Sequence, residues 1–155
     1  MSPLFDERQE PHPGLQAVVA FAAAAPLALY LLDRASAGPA AFALSAALLL
    51  SLIFSPMRTT VDAGGVYVRF GIAGLIRRAI PLEEIVRAEP VTYRALKDYG
   101  GWGIRRSAEG ERAYTMRGDQ GVRLTLDTGA SVLIGSRAPE ALARAITVAK
   151  DRADQ

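Results

Sequence analysis

"GVRLTLDTGASVLIGSRAPEALARAI", residues 121–146, changes its period half-way along, and that change sets the fold class. Val122, Leu124 and Leu126 alternate with Arg123, Thr125 and Asp127, the period of two that belongs to a strand with one buried face. "DTGA" (127–130) supplies the Asp and Gly of a tight turn, and 131–135 resumes as a strand. From Ser136 the spacing is helical: Leu142, Ala145, Ile146 and Ala149 fall at i, i+3, i+4 and i+7 on one stripe. Ser136 can cap this helix, Pro139 suits its first turn, Glu140 its positive end, and Lys150 and Arg152 its negative end. Strands followed by a covering helix predict an α+β domain.

Upstream, "VYVRF" (66–70) repeats the alternation, with Val66, Val68 and Phe70 on one side and Tyr67 and Arg69 on the other. Further strands are predicted over 59–62, 75–80, 85–93 and 113–117, giving about seven antiparallel strands in all. "DAGG" (62–65), Gly71 with Gly74, and "RGDQG" (117–121) punctuate them. Closing such a sheet into a seven-stranded barrel or an orthogonal sandwich hides its edges, and the C-terminal helix then caps an open end.

The chain has 155 residues, half of them apolar, no cysteine and a formal charge of +2. The apolar excess lies before residue 56, in 14–32 ("GLQAVVAFAAAAPLALYLL") and 38–54 ("GPAAFALSAALLLSLIF"), neither of which holds a charged residue. As a helix the first run reaches roughly 28 Å, near the ~30 Å of bilayer hydrocarbon. A transmembrane hairpin over 14–55 is therefore expected, between an N-terminal tail at 1–13 and a folded domain at 57–151. Three other readings compete: a signal peptide cleaved after Ala35, Ser36 and Ala37, two buried helices of a soluble core, and one span with an interfacial helix. The acidic tail (Asp6, Glu7 and Glu10 against Arg8) and the second apolar run argue against cleavage. Basic residues outnumber acidic ones after Met57, while the loop between the runs has only Asp33 and Arg34. The positive-inside tendency then places the protein in the inner membrane as a multi-pass chain with its C-terminal domain cytoplasmic.

The glycine-punctuated strands and final helix, with "VRFGIAGLIRRAIPLEEIVRAE" early and "GVRLTLDTGASVLIGSRAPEALARAI" late, resemble a bacterial pleckstrin-homology-like domain carried on a transmembrane hairpin. The resemblance covers about residues 57–150. It implies a non-enzymatic module that binds lipid surfaces, peptides or copies of itself. Phosphoinositide-binding members place Lys and Arg around the first hairpin; here "VDAGGVYVR" is short and acidic, which argues against specific inositol-phosphate recognition.

"YGGWGIRRS" (99–107) is the stretch most open to a chemical reading. A dinucleotide fingerprint needs G-x-G-x-x-G opening a helix, but the third position is Arg106 and no amphipathic helix follows. The bland reading makes it a connection in which the glycines pass close to the sheet, Trp102 buries its ring and Ile104 fills a gap. The functional reading takes Trp102, Arg105 and Arg106, with Lys97 and Arg94, as a surface for anionic lipid headgroups or a protein partner. Arg77 and Arg78 extend the candidate list, although neighbours on a strand face opposite sides.

Catalysis is hard to build from these residues. His12 is the sole histidine and lies in "EPHPG"; Glu83 and Glu84 are adjacent, which on a strand separates them and in a turn leaves them solvated; Asp98, Glu109 and Glu111 are loop residues. No enzyme, cofactor or metal is expected. A small charge excess without interleaved aromatics argues against nucleic acid. The expected function is a membrane-anchored binding module contacting anionic lipids or a partner, the partner being another membrane protein or a second copy. The alternative is a structural or regulatory subunit that packs through its hairpin, whose small residues suit close helix approach.

Overall fold

The computed structural model describes residues 3–11, 13–32, 37–53, 56–71, 74 and 76–153. His12, Asp33, Arg34, the Ala35–Ser36 pair and Phe54 lie outside them. The chain divides into two units: one joins residues 1–10 to 56–155, and the other is residues 11–55.

The smaller unit is a pair of helices, α1 (Pro13–Leu32) and α2 (Ala37–Ile53), packed on each other. Among the described residues no helix is long and apolar enough to cross a membrane. The expected transmembrane hairpin, and with it the multi-pass inner-membrane placement, is thereby overturned. Lengths give a physical reason. The 17 residues of α2 reach only about 25 Å. In α1 the apolar run starts after Gln16, leaving about 24 Å, and Pro26 interrupts its hydrogen-bond ladder. Alanine supplies much of both helices and adds little to the hydrophobic drive. Val18, Phe21, Leu31 and Phe42 are exposed in this unit.

In the larger unit β1 (Phe5–Gln9), β2 (Met57–Asp62), β3 (Gly65–Phe70) and β4 (Ile76–Pro81) form an antiparallel sheet in chain order. A second sheet contains β5 (Ile85–Thr92), β6 (Gly103–Arg106), β7 (Arg112–Thr115), β8 (Gln120–Leu126) and β9 (Ser131–Gly135), in the order β5-β8-β9-β7-β6. The short helix α3 (Ala95–Tyr99) precedes β6, and α4 (Pro139–Ala153) ends the unit. The α+β class stands, but the seven-stranded barrel does not: the described strands number nine, in sheets of four and five, with no closure.

The break is local. Pro81 and a 3-10 turn at Leu82–Glu84 stop β4 from running on, so β5 leaves that sheet and pairs with β8. Nor is every pair antiparallel, because β7 runs parallel to β9. The two sheets and α4 share one core, in which Val61, Val66, Ile80, Leu124, Ile134, Leu142 and Ile146 are fully buried. The α4 stripe is Leu142, Ala143, Ile146 and Ala149, with Ala145 partly buried beside it. Lys150 Nζ donates to the Ile85 carbonyl and ties α4 to β5.

Strand β1 is the least obvious element, since its sequence is FDERQ. It holds its place by polar bonds to the far end of the chain. Glu7 is only 9% exposed and accepts from Ser136 Oγ (2.5 Å), the Arg137 backbone N–H (2.9 Å) and Arg137 Nε (3.3 Å). Gln9, 1% exposed, donates from Nε2 to the Gly135 carbonyl at 2.8 Å. Ser136 Oγ also accepts the Ala138 N–H at 3.1 Å, so the residue expected to cap α4 links that end to β1 as well. Glu7→Ala leaves these donors without their acceptor and is expected to lower unfolding free energy by about 1–3 kcal/mol in urea titrations.

Candidate functional site

The "YGG" of residues 99–101 closes α3. Gly100 takes the left-handed conformation (φ 69°), its N–H reaches the Leu96 carbonyl at 3.1 Å, and the Gly101 N–H reaches Ala95 at 2.9 Å. A glycine in that position satisfies the last carbonyls of a helix at no steric cost. The remaining "GIRR" is β6, at the edge of the five-stranded sheet.

One face of this sheet near its edge is packed by Tyr93, Ala95, Tyr99, Ala113 and Leu133. Tyr99 donates its hydroxyl to Glu111 Oε2, and Arg123 Nε donates to Glu111 Oε1 at 2.7 Å. Tyr93 and Tyr99 meet edge to face, with centroids 6.0 Å apart. Burial pushes both phenols up to about 12, and in Tyr99 the bond to the Glu111 carboxylate adds to the effect. The unfolded chain gives up these protons near pH ~10, so stability is whole below that value and falls as pH rises from about 10 to about 12. Alkaline unfolding is expected to begin in that window. Tyr93→Phe with Tyr99→Phe should flatten the slope of unfolding free energy against pH there.

The sequence candidates separate into two groups. Arg94, Lys97, Trp102, Arg105 and Arg106 lie on one continuous segment from the start of α3 to the end of β6. Arg94 precedes α3 and is engaged with Asp98: its N–H reaches Oδ2 at 2.8 Å, and its Nε stands 3.8 Å from Oδ1. Lys97 is exposed on α3. Trp102 does not bury its ring fully; it is 40% exposed and donates Nε1–H to the Gly118 carbonyl at 2.9 Å. Arg105 Nε donates to the Trp102 carbonyl at 3.1 Å. Arg106 is exposed and stands across from Arg112 on β7, two like charges on paired strands. Arg77 and Arg78 belong to the other sheet, on its edge strand β4. Arg77 is exposed, whereas Arg78 is half-buried with its Nε unpartnered.

What the sequence reading missed is the backbone of β6. Its partner β7 is reached through the Ser107–Glu111 turn, where the Ser107 N–H bonds to the Glu111 carbonyl at 2.8 Å. Antiparallel pairs alternate between bonded and non-bonded. Register then turns the N–H and C=O of Gly103 and Arg105 toward β7, and those of Ile104 and Arg106 toward the open edge. No backbone partner exists for Ile104 or Arg106 on that side among the described residues. Ile104 is not a buried gap-filler either, being 41% exposed. No local pattern in "GIRR" signals this, because the edge position follows from the sheet order.

Among the described residues no three His, Cys, Asp or Glu side chains gather so as to hold a metal ion. No family model matches the chain, and neither does any curated protein.

Proposed function

We propose that the chain is a non-enzymatic binding module of the pleckstrin-homology-like kind, which takes an extended, acidic segment of a partner protein along β6. The observation that supports this is the unpaired edge of β6, with N–H and C=O of Ile104 and Arg106 directed outward. A strand laid there gains main-chain hydrogen bonds, and pockets beside alternate side chains supply selectivity. Ile104 offers an apolar contact, and Arg105 and Arg106 offer one cation to each face of the added strand. Those cations also disfavour pairing of β6 with β6 of a second copy, which would bring like charges together.

The test uses a synthetic peptide of alternating glutamate and valine, followed by the fluorescence of Trp102, the single tryptophan. Binding should saturate, and a lysine–valine peptide should give no change. Ile104→Pro removes one outward N–H while leaving the ladder to β7 intact, because proline is tolerated on the free side of an edge strand. It should weaken binding by about tenfold or more, a loss of ~1.4 kcal/mol. Undiminished binding to this variant would rule out strand addition.

A second reading, that of a subunit packing through its helices, draws on the exposure of Phe21 and Phe42 in the helical unit. It requires Phe21→Glu with Phe42→Glu to abolish an association seen by sedimentation while leaving the peptide response unchanged.

A further inference from the structure

The register of the four-stranded sheet places Arg8 opposite Arg58, Arg58 opposite Arg69, and Arg69 opposite Arg77. Each strand thus contributes one arginine to a single row across the outer face, all four exposed, while Met57 and Phe70 beside them turn into the core. With strands about 4.8 Å apart, the row is roughly 14 Å long. Like charges directly opposite each other on paired strands destabilise a sheet. Here the arrangement occurs at every strand junction of the sheet.

Partial neutralisation is confined to one half. Asp6 accepts from Arg58 Nε at 2.7 Å and Nη2 at 2.5 Å, and Glu10 accepts from Arg8 Nε at 2.8 Å. The bond from Arg58 also holds the Asp6 carboxyl below its ordinary range. In the other half no carboxylate pairs with an arginine among the described residues. The Arg69 side chain makes no hydrogen bond or ion pair among the described residues, and the Arg77 side chain commits only Nε, to the Gly74 carbonyl at 2.7 Å. A Cβ built on Gly74 would stand 3.5 Å from Arg69 Cδ and 3.8 Å from Arg77 Nε, so the two side chains flank a residue that brings no side chain of its own.

We infer that Arg69 and Arg77, extended by Arg58 and Arg8, form a binding site for a linear polyphosphate-type anion. Two features select this ligand class. Every cation of the row is arginine and none is lysine, and the planar guanidinium fork matches phosphate oxygens in pairs. A single carboxylate neutralises one arginine, whereas a chain of phosphates brings charge enough to bridge the uncompensated pair and reach its neighbours. This site is on a different sheet from β6 and does not depend on the peptide reading.

The experiment titrates the full chain with sodium tripolyphosphate by calorimetry at low ionic strength, alongside citrate as a multivalent carboxylate that cannot add as a strand at β6. Saturable tripolyphosphate binding is expected, weakened about tenfold or more by Arg69→Gln with Arg77→Gln, and unchanged by Arg105→Gln with Arg106→Gln, which removes the same charge elsewhere. Amide shift mapping of the unaltered protein provides a check independent of any variant. Perturbations should centre on residues 8, 58, 69 and 77. Absence of saturable binding, equal loss in both double variants, equal binding of citrate, or shifts centred elsewhere would each overturn the assignment.

Discussion

Leu142→Ala combined with Ile146→Ala should leave the larger unit unfolded at room temperature. Both side chains are fully buried between α4 and the sheets. Each truncation costs about 2–5 kcal/mol, from lost burial and from the cavity left behind. Together they approach the whole stability of a domain this size, about 5–15 kcal/mol. Far-UV circular dichroism should show loss of strand signal without added denaturant. Retention of a cooperative transition near that of the unaltered protein would mean that α4 is an appendage, and that the sheets close on each other without it.

The second large effect is expected at Gly121, where β8 meets Gly135 of β9. A Cβ there would collide with the Ile134 carbonyl oxygen and come within 3.1 Å of Gly135 Cα, and both obstacles are backbone. Since backbone cannot rotate aside as a side chain can, Gly121→Val must shift β9. Space on the other side is short too, since a Cβ built on Gly135 would stand 3.1 Å from Tyr93 Oη and 3.2 Å from Thr115 Cα. Overpacking of this kind costs on the order of 3 kcal/mol. Chemical denaturation should show a lower midpoint, with the β9 amides losing protection together. An unshifted midpoint would mean that β8 and β9 are not paired in this register.

The elements read correctly from the sequence are those whose burial is one-sided and local. The alternation in β3 and β8 and the stripe of α4 need no knowledge of distant partners, because each announces a single buried face. Strand β1 could not be read that way. Its buried positions are Glu7 and Gln9, which are tolerable inside only because Gly135, Ser136 and Arg137 meet them from 126 to 130 residues away. The expected barrel failed at Pro81, where the sequence shows a proline but not which strand β5 will choose afterwards.

Function was less legible still. "YGGWGIRRS" does not open a helix: its first glycines close α3, and the segment continues as β6. That "GIRR" would be an open edge follows from sheet order, which no local pattern encodes. The arginine row is a matter of register: positions 8, 58, 69 and 77 share nothing in sequence spacing, and pairing alone aligns them. The same limit applied to the helices before residue 56, where charge-free composition suggested spans, yet among the described residues no helix is both long and apolar enough to be one.

Amide hydrogen exchange at four consecutive positions, read with and without the glutamate–valine peptide, bears most directly on the proposed use of β6. In the free protein Gly103 and Arg105 should be protected by β7 while Ile104 and Arg106 exchange rapidly, and saturating peptide should slow Ile104 and Arg106 alone. Protection of Ile104 and Arg106 before peptide is added, or unchanged exchange at both once it is bound, would contradict the account.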